Sequence, residues 1–467
     1  MSLRRLLAMT MVIAIPVATQ NLLTTTGSMV DTIMLSSLGE NAVGAVGLCA
    51  QFSSLMFSGY WGFVGGGMLF FSQFWGAGDH DGIRLSYRIT LLFMMAVGFG
   101  FGAAALLFPG KVMGVYTGSE IIREIGSSYL SIVGFAYPLN VLAMAMSALL
   151  RSIERVKIPL YGGIAAVVTN CLCNYVLIFG KLGFPALGVR GAAIGTLVGA
   201  LMNVGVILAL VLGKRVPFVL EAFARVPKRK GLVREYLVKS APILANEMLI
   251  GVGIMMINIV LGHQVEEAIA AVAVFRTLEG IVISFFSGFS NASTVLVGRE
   301  VGAGHHEEAF RIGKILIYFC SLFIGVTCLL LFGIRRPLLH TLGLSGLSYY
   351  FASGMLAIYC VVAVIRMGNW AQNDTYRCAG DPAFGSTLEI VFMFLMVQPA
   401  IHLANDYFHA PFLLVFALCY VDEPIRYILM QRHLYSRKWI RPVSKEGMAT
   451  IGAFREKHHV KLKEKKD

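Results

Sequence analysis

Long apolar stretches separated by short polar ones run along almost the whole chain. Each stretch has about 20 residues or more, enough to cross a hydrocarbon layer about 30 Å thick as a helix. Stretches such as 197–212 show no polar alternation, which excludes the strands of a membrane barrel. The first stretch continues to Asp31 without a small-residue cleavage site, so it is predicted to be an uncleaved span and not a signal peptide. Twelve spans are predicted, and they begin near Ala8, Ala42, Ser86, Gly126, Pro159, Gly188, Tyr236, Ala268, Ile312, Ser348, Ala383 and Ala410.

Composition supports a membrane protein. Hydrophobic residues make up 57% of the chain and charged residues 14%, whereas a soluble domain carries roughly 25% charged residues. The net charge of +13 comes from basic residues in loops and at the tail, which indicates membrane orientation and not a nucleic-acid partner. The eight cysteines stand mostly singly inside apolar spans, so neither a disulfide framework nor a zinc site is predicted.

One strongly polar interior segment divides the chain. It predicts an amino lobe at 1–213, a basic linker at 214–235, a carboxy lobe at 236–431 and a basic tail at 432–467. Placing both termini and every second loop on one side gathers most lysines and arginines there, so that side is predicted to be cytoplasmic. The tail is expected to be solvated or to touch anionic lipid headgroups. The basic residues of linker and tail are Lys214, Arg215, Arg225, Lys228, Arg229, Lys230, Arg234, Lys457, Lys461, Lys463, Lys465 and Lys466.

Several landmarks recur at one constant offset of about 226 residues, which indicates an internal duplication. Six spans per half is an even number, so both halves enter the bilayer in the same orientation, related by an axis along the membrane normal. The predicted fold class is therefore an all-α membrane protein of two six-helix lobes with a cleft between them. The aligned landmarks are Pro16 with Pro242, 40–43 with 266–269, 76–78 with 302–304, and Arg151 with Arg377.

Three carboxylates fall inside predicted spans, namely Asp31, Glu247 and Asp374. An ionisable group at this depth costs several kcal/mol unless it is paired or hydrated, so each is a candidate functional residue. None of the three aligns with an acid in the other half. A carboxylate without a fixed cation can exchange a proton, or bind Na⁺ when neutral oxygens join it. The alternative is a buried ion pair or a hydrated loop end.

Neutral oxygen ligands are available near the first of these acids in the predicted amino lobe. Asn170 and Asn174 are spaced i and i+4, so both amides lie on one helix face, and Thr196 supplies a hydroxyl one helix later. Hard cations prefer such ligands. The alternative is that these side chains only hydrogen-bond a neighbouring helix.

Other charged residues in the carboxy half are expected to be structural. Arg276 and Glu279 are spaced i and i+3, which favours a mutually satisfied pair. Arg366 and Glu389 are candidates for a pair between spans ten and eleven. The charges of 422–426 are expected to mark the cytoplasmic end of span twelve.

The sequence contains no glycine-rich loop that ends in Lys-Ser or Lys-Thr, and no nucleophile-elbow or metal-hydrolase motif. ATP hydrolysis and other catalysis are therefore not expected, and neither a nucleotide nor a cofactor is predicted. Energy for any transport would come from an ion gradient or from a partner.

Taken together, several short motifs resemble those of the multidrug and toxic compound extrusion (MATE) transporters over nearly the full length. They are Ala14-Ile15-Pro16 through Asp31, Leu38-Gly39 leading into Ala45, 76–79, 150–152, 170–180, 191–196 and 377–381.

The resemblance implies a twelve-helix, two-lobed antiporter that exports small organic compounds, often cationic, in exchange for H⁺ or Na⁺. By position, Asp31, Asn170, Asn174 and Thr196 resemble the family's amino-lobe cation site, and Glu247 with Asp374 resembles its carboxy-lobe acidic pair. Some relatives have an acid at the position of Asn174, so this amino-lobe site is less negative.

The implied setting is the bacterial inner membrane, with a monomer in contact with lipids and both termini in the cytoplasm. A lipid-linked oligosaccharide flippase of the wider superfamily is a second hypothesis, although the span count and the acidic residues argue against it. A membrane enzyme or receptor is a third, disfavoured by the duplication and by the lack of a catalytic constellation.

Overall fold

A computed structural model describes residues 2–216, 218–223, 229–264 and 266–460. Of the predicted basic segments, Arg225, Lys228 and 461–467 lie outside the described residues. All regular structure in the described ranges is helical. The helices are α1 Leu3–Ser36, α2 Glu40–Gly76, α3 His80–Leu107, α4 Pro109–Tyr116, α5 Glu120–Val133, α6 Ala136–Ser152, α7 Lys157–Phe179, α8 Val189–Gly213, α9 Leu232–Gln264, α10 Glu266–Gly302, α11 His306–Thr341, α12 Gly346–Cys378, α13 Pro382–Phe392, α14 Gln398–His402, α15 Phe412–Leu418, α16 Glu423–Ser436 and α17 Lys445–Lys457.

The helices agree closely with the predicted spans. Ten helical stretches are long and apolar enough to cross a membrane, and the α5 and α6 pair, bent by 50°, makes an eleventh in the described part of the chain. One of these stretches is Pro382–Tyr407, in which a short turn of π-helix, Met393–Val397, joins α13 to α14 and a second, Leu403–Tyr407, follows α14. The last predicted span differs, because the chain there forms two short helices, α15 and α16. Pro424 lies in the first turn of α16, where a proline favours the start of a new helix.

The helices divide into two compact units. The amino unit comprises 19–71 and 80–237, and within it α7 runs along α8 while α3 packs against α6. The carboxy unit comprises 1–18, 72–79 and 238–467, and within it α10, α11 and α12 pack against one another. The helix α12 also contacts α13, α15 and α16, which makes it the centre of this unit.

A row of glycines on α8 brings α7 and α8 into close contact in the amino unit. A methyl group on Gly191 would lie 2.6 Å from the backbone oxygen of Leu177, and one on Gly195 would lie 2.0 Å from Oδ1 of Asn174. Small residues at four-residue intervals allow the close helix packing that is common in membrane proteins. The sequence 191–196, read above as a family motif, therefore has a packing role.

Two glycines that the repeat aligns meet in the carboxy unit. A methyl group on Gly76, at the end of α2, would lie 1.9 Å from the backbone oxygen of Arg299. A methyl group on Gly302, at the end of α10, would lie 1.9 Å from the backbone oxygen of Gln73. The repeat aligns Gly76 with Gly302 and Gln73 with Arg299, so the two contacts are equivalent under the internal repeat. The recurring Gly-Ala-Gly triplets thus mark a place where two equivalent helix ends touch through their backbones.

The first part of the basic tail is packed and not solvated. The helix α17 contacts α10 and α11, and Trp439 and Ile440 just before it are buried. The Ser444 hydroxyl donates a hydrogen bond to the backbone oxygen of Gly302 at 2.6 Å. Lysine-rich composition did not reveal this packing, because the contacts are made by the apolar and small residues between the charges.

Candidate functional site

Asp31 lies on the last third of α1 in the amino unit, half-buried and opposite α7. Nδ2 of Asn174 donates a hydrogen bond to Oδ1 of Asp31 at 2.8 Å. The Asn170 amide, with its nitrogen turned to the carboxylate, donates to the two carboxylate oxygens at 2.9 and 3.2 Å. In that orientation Oδ1 of Asn170 accepts from the backbone nitrogen of Thr196 at 3.2 Å. The structure thus brings together the four residues that the sequence proposed for the amino lobe.

One oxygen of this cluster has no hydrogen-bond donor among the described residues. Oδ1 of Asn174 is fully buried and lies against the backbone of Gly195. A buried acceptor without a donor is costly, roughly 1–3 kcal/mol. Glycine at 195 leaves room beside this oxygen that any other side chain would fill.

The Asp31 cluster borders a buried apolar group that the sequence did not indicate. Leu35, Ile178 and Ala192 lie one turn from Asp31, Asn174 and Thr196 respectively, and they form a buried group. Tyr129 of α5 packs against this group, and its hydroxyl is near the Thr196 side chain. The sequence did not single out Tyr129, because a single tyrosine in an apolar helix is common.

The electrostatic character of Asp31 follows from what surrounds it. Within the described ranges, no arginine, lysine or histidine side chain lies within ion-pair distance of this carboxylate. Its partners are neutral amides, which donate to it without cancelling its charge. The expectation of an acid without a fixed cation is confirmed for Asp31.

The same expectation is wrong for the two acids of the carboxy unit. Nη1 of Arg377 lies 3.2 Å from Oε1 of Glu247 and 3.6 Å from Oδ1 of Asp374. The Ser290 hydroxyl also donates a hydrogen bond to Asp374. One arginine shared by two carboxylates leaves one negative charge uncompensated. The i, i+3 spacing of Asp374 and Arg377 could have indicated their pairing. The pairing of Glu247 with Arg377 could not be predicted, because it joins α9 to α12.

A second group of buried charges in the carboxy unit forms a connected network. Nη1 of Arg276 lies 2.7 Å from Oε2 of Glu279, which confirms the pair that their spacing predicted. Arg366 pairs with Glu279 at 2.5 Å, and not with Glu389 as its candidate partner. The charges of 422–426 are buried where α15 gives way to α16, and their place at a cytoplasmic end of the last span stays a prediction.

Comparison with known proteins gives the family. The family model MatE matches the chain twice, over residues 16–176 and 242–404. The chain belongs to the MATE family. The two matches begin at Pro16 and Pro242, the two prolines that the internal repeat aligns. Members of this family are membrane transporters that need no cofactor.

Curated relatives agree. An uncharacterized transporter of Bacillus subtilis, YisQ, is 24% identical over 90% of this chain and 91% of its own length. A probable multidrug resistance protein, NorM of Agrobacterium fabrum, is 29% identical over 62% of each chain. Both names are those of transporters, which agrees with the family match.

Solved structures show the same fold. A MATE transporter in the straight conformation superposes with a TM-score of 0.82 at 16% identity, covering 92% of this chain and 96% of the other. An outward-facing MATE family transporter of the MOP superfamily gives a TM-score of 0.81 at 14% identity, with the same coverage. The predicted fold class, an all-helical membrane protein with the pseudosymmetric MATE architecture, is confirmed.

Proposed function

We propose that this protein is a secondary antiporter of the inner membrane, with both termini in the cytoplasm, that exports small organic compounds in exchange for H⁺ or Na⁺. Asp31, Asn170, Asn174 and Thr196 form the coupling-ion site. Glu247 and Asp374 form a second acidic site that attracts cationic cargo. Transport is the function of the chain, and catalysis is not.

The observation that carries the proposal is the environment of Asp31. A carboxylate in a membrane helix with only amide partners carries a full negative charge that a mobile cation can neutralise. A proton would bind the carboxylate directly. Na⁺ would take oxygens from Asp31 and from Asn170 and Asn174, once their amides present oxygen instead of nitrogen.

The exchange follows from this charge. Loading the coupling ion from outside neutralises Asp31 and favours the state that releases cargo. Unloading the ion restores the negative charge, and the transporter can then accept a cationic substrate. An ion can drive such a cycle only by binding one conformation more tightly than the other. The rivals, a lipid-linked oligosaccharide flippase and a membrane enzyme or receptor, require no acid that loads and unloads an ion.

Gradient-driven dye efflux from vesicles tests the proposal. Purified transporter is reconstituted, loaded with a cationic dye, and exposed to an imposed proton or sodium gradient, each alone. Wild-type protein is expected to export dye with one of the gradients, which identifies the coupling ion. Asp31→Asn is expected to abolish the gradient-dependent part while insertion is unchanged. Glu40→Gln, which removes an exposed carboxylate at the start of α2, is the control. Efflux by Asp31→Asn at the wild-type rate would refute the role of Asp31.

A further inference from the structure

The helix α11 of the carboxy unit carries a charge-free stretch that matches the thickness of a membrane. Residues 315–334 contain no charged side chain, and Lys314 and Arg335 stand at the two ends of this stretch. About 20 residues of helix cross a hydrocarbon layer about 30 Å thick. Lys314 therefore lies where the hydrocarbon meets the lipid headgroups, near the end of α11 that contacts α17.

Side chains on one face of α11 change in character toward the α17 end. Leu322 and Leu329 are 67% and 73% exposed, and Tyr318, Lys314 and Arg311 continue the same face. These positions differ by three, four or seven residues, which keeps them on one side of a helix. Leucine within the hydrocarbon, tyrosine at its edge and basic residues beyond the edge are typical of a helix face that contacts lipid.

The helix α16 presents a similar face beside it. Ile425 and Ile428 are 43% and 54% exposed, and the exposed residues Arg432 and Tyr435 continue this face at helical spacing. The two faces meet at their tyrosines, because the hydroxyl oxygens of Tyr318 and Tyr435 lie 3.0 Å apart. The seam between α11 and α16 is therefore apolar along most of its length and ends in tyrosines and basic residues.

The basic residues at this end of the seam are not neutralised within the protein. Among the described residues, Lys314 and Arg432 have no carboxylate within ion-pair distance. Nζ of Lys314 instead lies over the ring of Tyr435, 5.2 Å from the ring centre. Glu308, the acid nearest to Lys314 along the helix, faces Arg311 at 3.6 Å. Positive charge is therefore left at the level of the headgroups, where it attracts an anionic lipid.

The tyrosine hydroxyls add a hydrogen-bond donor to these cations. The Tyr318 hydroxyl donates to Oε1 of Gln431 at 3.2 Å, and the Tyr435 hydroxyl contacts that of Tyr318. Tyr435 is 51% exposed, so its hydroxyl can donate either to Tyr318 or to a ligand outside the protein. An ammonium, a guanidinium and a phenol together are suitable donors for the oxygens of a phosphate group.

We propose that the seam between α11 and α16 binds an anionic phospholipid from the leaflet on the side of α17. The lipid phosphate contacts Lys314, Arg432 and the Tyr435 hydroxyl, and the acyl chains lie along Leu322 and Ile428. Such a lipid would fix the depth and rotation of the two helices, since interfacial side chains set both in a membrane. The inference does not rest on the proposed transport function.

Ligand titration of the detergent-purified transporter tests the proposal. Phosphatidylglycerol, phosphatidylcholine and water-soluble glycerol phosphate are compared, and the bound ligand is counted by native mass spectrometry. Wild-type protein is expected to bind phosphatidylglycerol about tenfold or more tightly than phosphatidylcholine, because of the net charge of the headgroup. Glycerol phosphate should bind more weakly than phosphatidylglycerol, because it has no acyl chains for the seam. Equal binding of these two anions would overturn the assignment to a lipid.

Removing the two cations gives the main contrast. Lys314→Gln combined with Arg432→Gln should weaken phosphatidylglycerol binding by about thirtyfold, which is the effect of two charges at a membrane surface. The variant should fold, since neither cation has a carboxylate partner in the described part of the chain. Arg336→Gln removes an exposed charge from the opposite end of α11 and is the matched control, with a much smaller expected loss.

Tyr435→Phe provides a second measurement that leaves every charge in place. It keeps the ring beneath Lys314 and removes only the hydroxyl, so phosphatidylglycerol binding should weaken by less than about tenfold. Equal affinity for phosphatidylglycerol in the double variant and in Arg336→Gln would overturn the inference. Equal affinity of the wild-type protein for phosphatidylglycerol and phosphatidylcholine would overturn it as well.

Discussion

The two arginines that the internal repeat aligns have opposite surroundings. Arg377 of the carboxy unit faces two carboxylates, Glu247 and Asp374. Arg151 of the amino unit is buried, and the polar contact of its guanidinium is with Oε1 of Gln20 at 2.8 Å, without an acidic partner in the described part of the chain. The acid of that unit, Asp31, lies elsewhere with amide partners. The same duplicated scaffold therefore gives this arginine acidic partners in one half and an amide partner in the other.

The difference between the two units lies in what compensates the charge of a buried acid. Two acids that share one arginine, as Glu247 and Asp374 do, keep one negative charge between them and are held by the ion pairs. An acid among amides has to be neutralised by an ion from outside. Coupling should therefore depend on the amino unit, whereas stability should depend on the ion pairs of the carboxy unit.

Replacing the two arginines gives the largest expected contrast. Arg377→Gln should destabilise the protein by about 3 kcal/mol, because it leaves two carboxylates without their cation. Arg151→Gln should cost about 1 kcal/mol, since it only weakens the hydrogen bond to Gln20. Heating each purified variant and measuring the folded fraction by size-exclusion chromatography checks the contrast. Equal losses for the two variants would show that the acids do not decide the role of these arginines.

An added methyl group at the α7–α8 contact tests whether ion coupling at Asp31 depends on the Asn174 amide. Gly195→Ala should displace the Asn174 amide and cost about 1–3 kcal/mol, because the new Cβ would lie 2.0 Å from Oδ1. Ion-driven dye efflux should fall more than the amount of folded protein. Gly205→Ala on the same helix has open space around it and is the control. Normal coupling in Gly195→Ala would contradict the role of the amide.

An added acid would make the amino unit resemble the carboxy unit. Gln20→Glu should stabilise the protein by about 1–2 kcal/mol, because the hydrogen bond from Arg151 becomes charge-assisted. The midpoint of thermal unfolding should rise. Asn41→Asp, an exposed change in the first turn of α2, should leave the midpoint nearly unchanged. A lower midpoint for Gln20→Glu would mean that Arg151 is already compensated.

The smallest effect is expected for Tyr129, at the edge of the Asp31 cluster in the amino unit. Tyr129→Phe removes the hydroxyl near Thr196 and keeps the ring against Leu35 and Ile178. Apparent ion affinity in the efflux assay should fall by less than about tenfold, which is the weight of one hydrogen bond. A complete loss of coupling would make Tyr129 a principal residue of the site.

Much of the candidate site could be predicted, because its residues stand out locally. Asp31 is conspicuous as an acid in an apolar helix, and the i, i+4 spacing places Asn170 and Asn174 on one face. Glu247 and Asp374 were equally conspicuous, yet their partner Arg377 was noticed only as a landmark of the repeat. Glu389 was considered as a partner for Arg366. Its hydrogen bonds from Asn246 and Asn373 were missed, because these residues lie on two other helices, α9 and α12.

The sequence by itself determined the membrane spans, the duplication and the short set of acids, because the cost of a polar group in hydrocarbon acts on each residue where it stands. Only the tertiary structure decided which acid meets an arginine and which meets an amide. That choice depends on the rotation and close approach of helices far apart in the chain, such as α9 and α12 at Arg377 or α1 and α7 at Asp31. Shifts of a few ångströms in helix packing change those partners while the hydropathy of the chain stays the same.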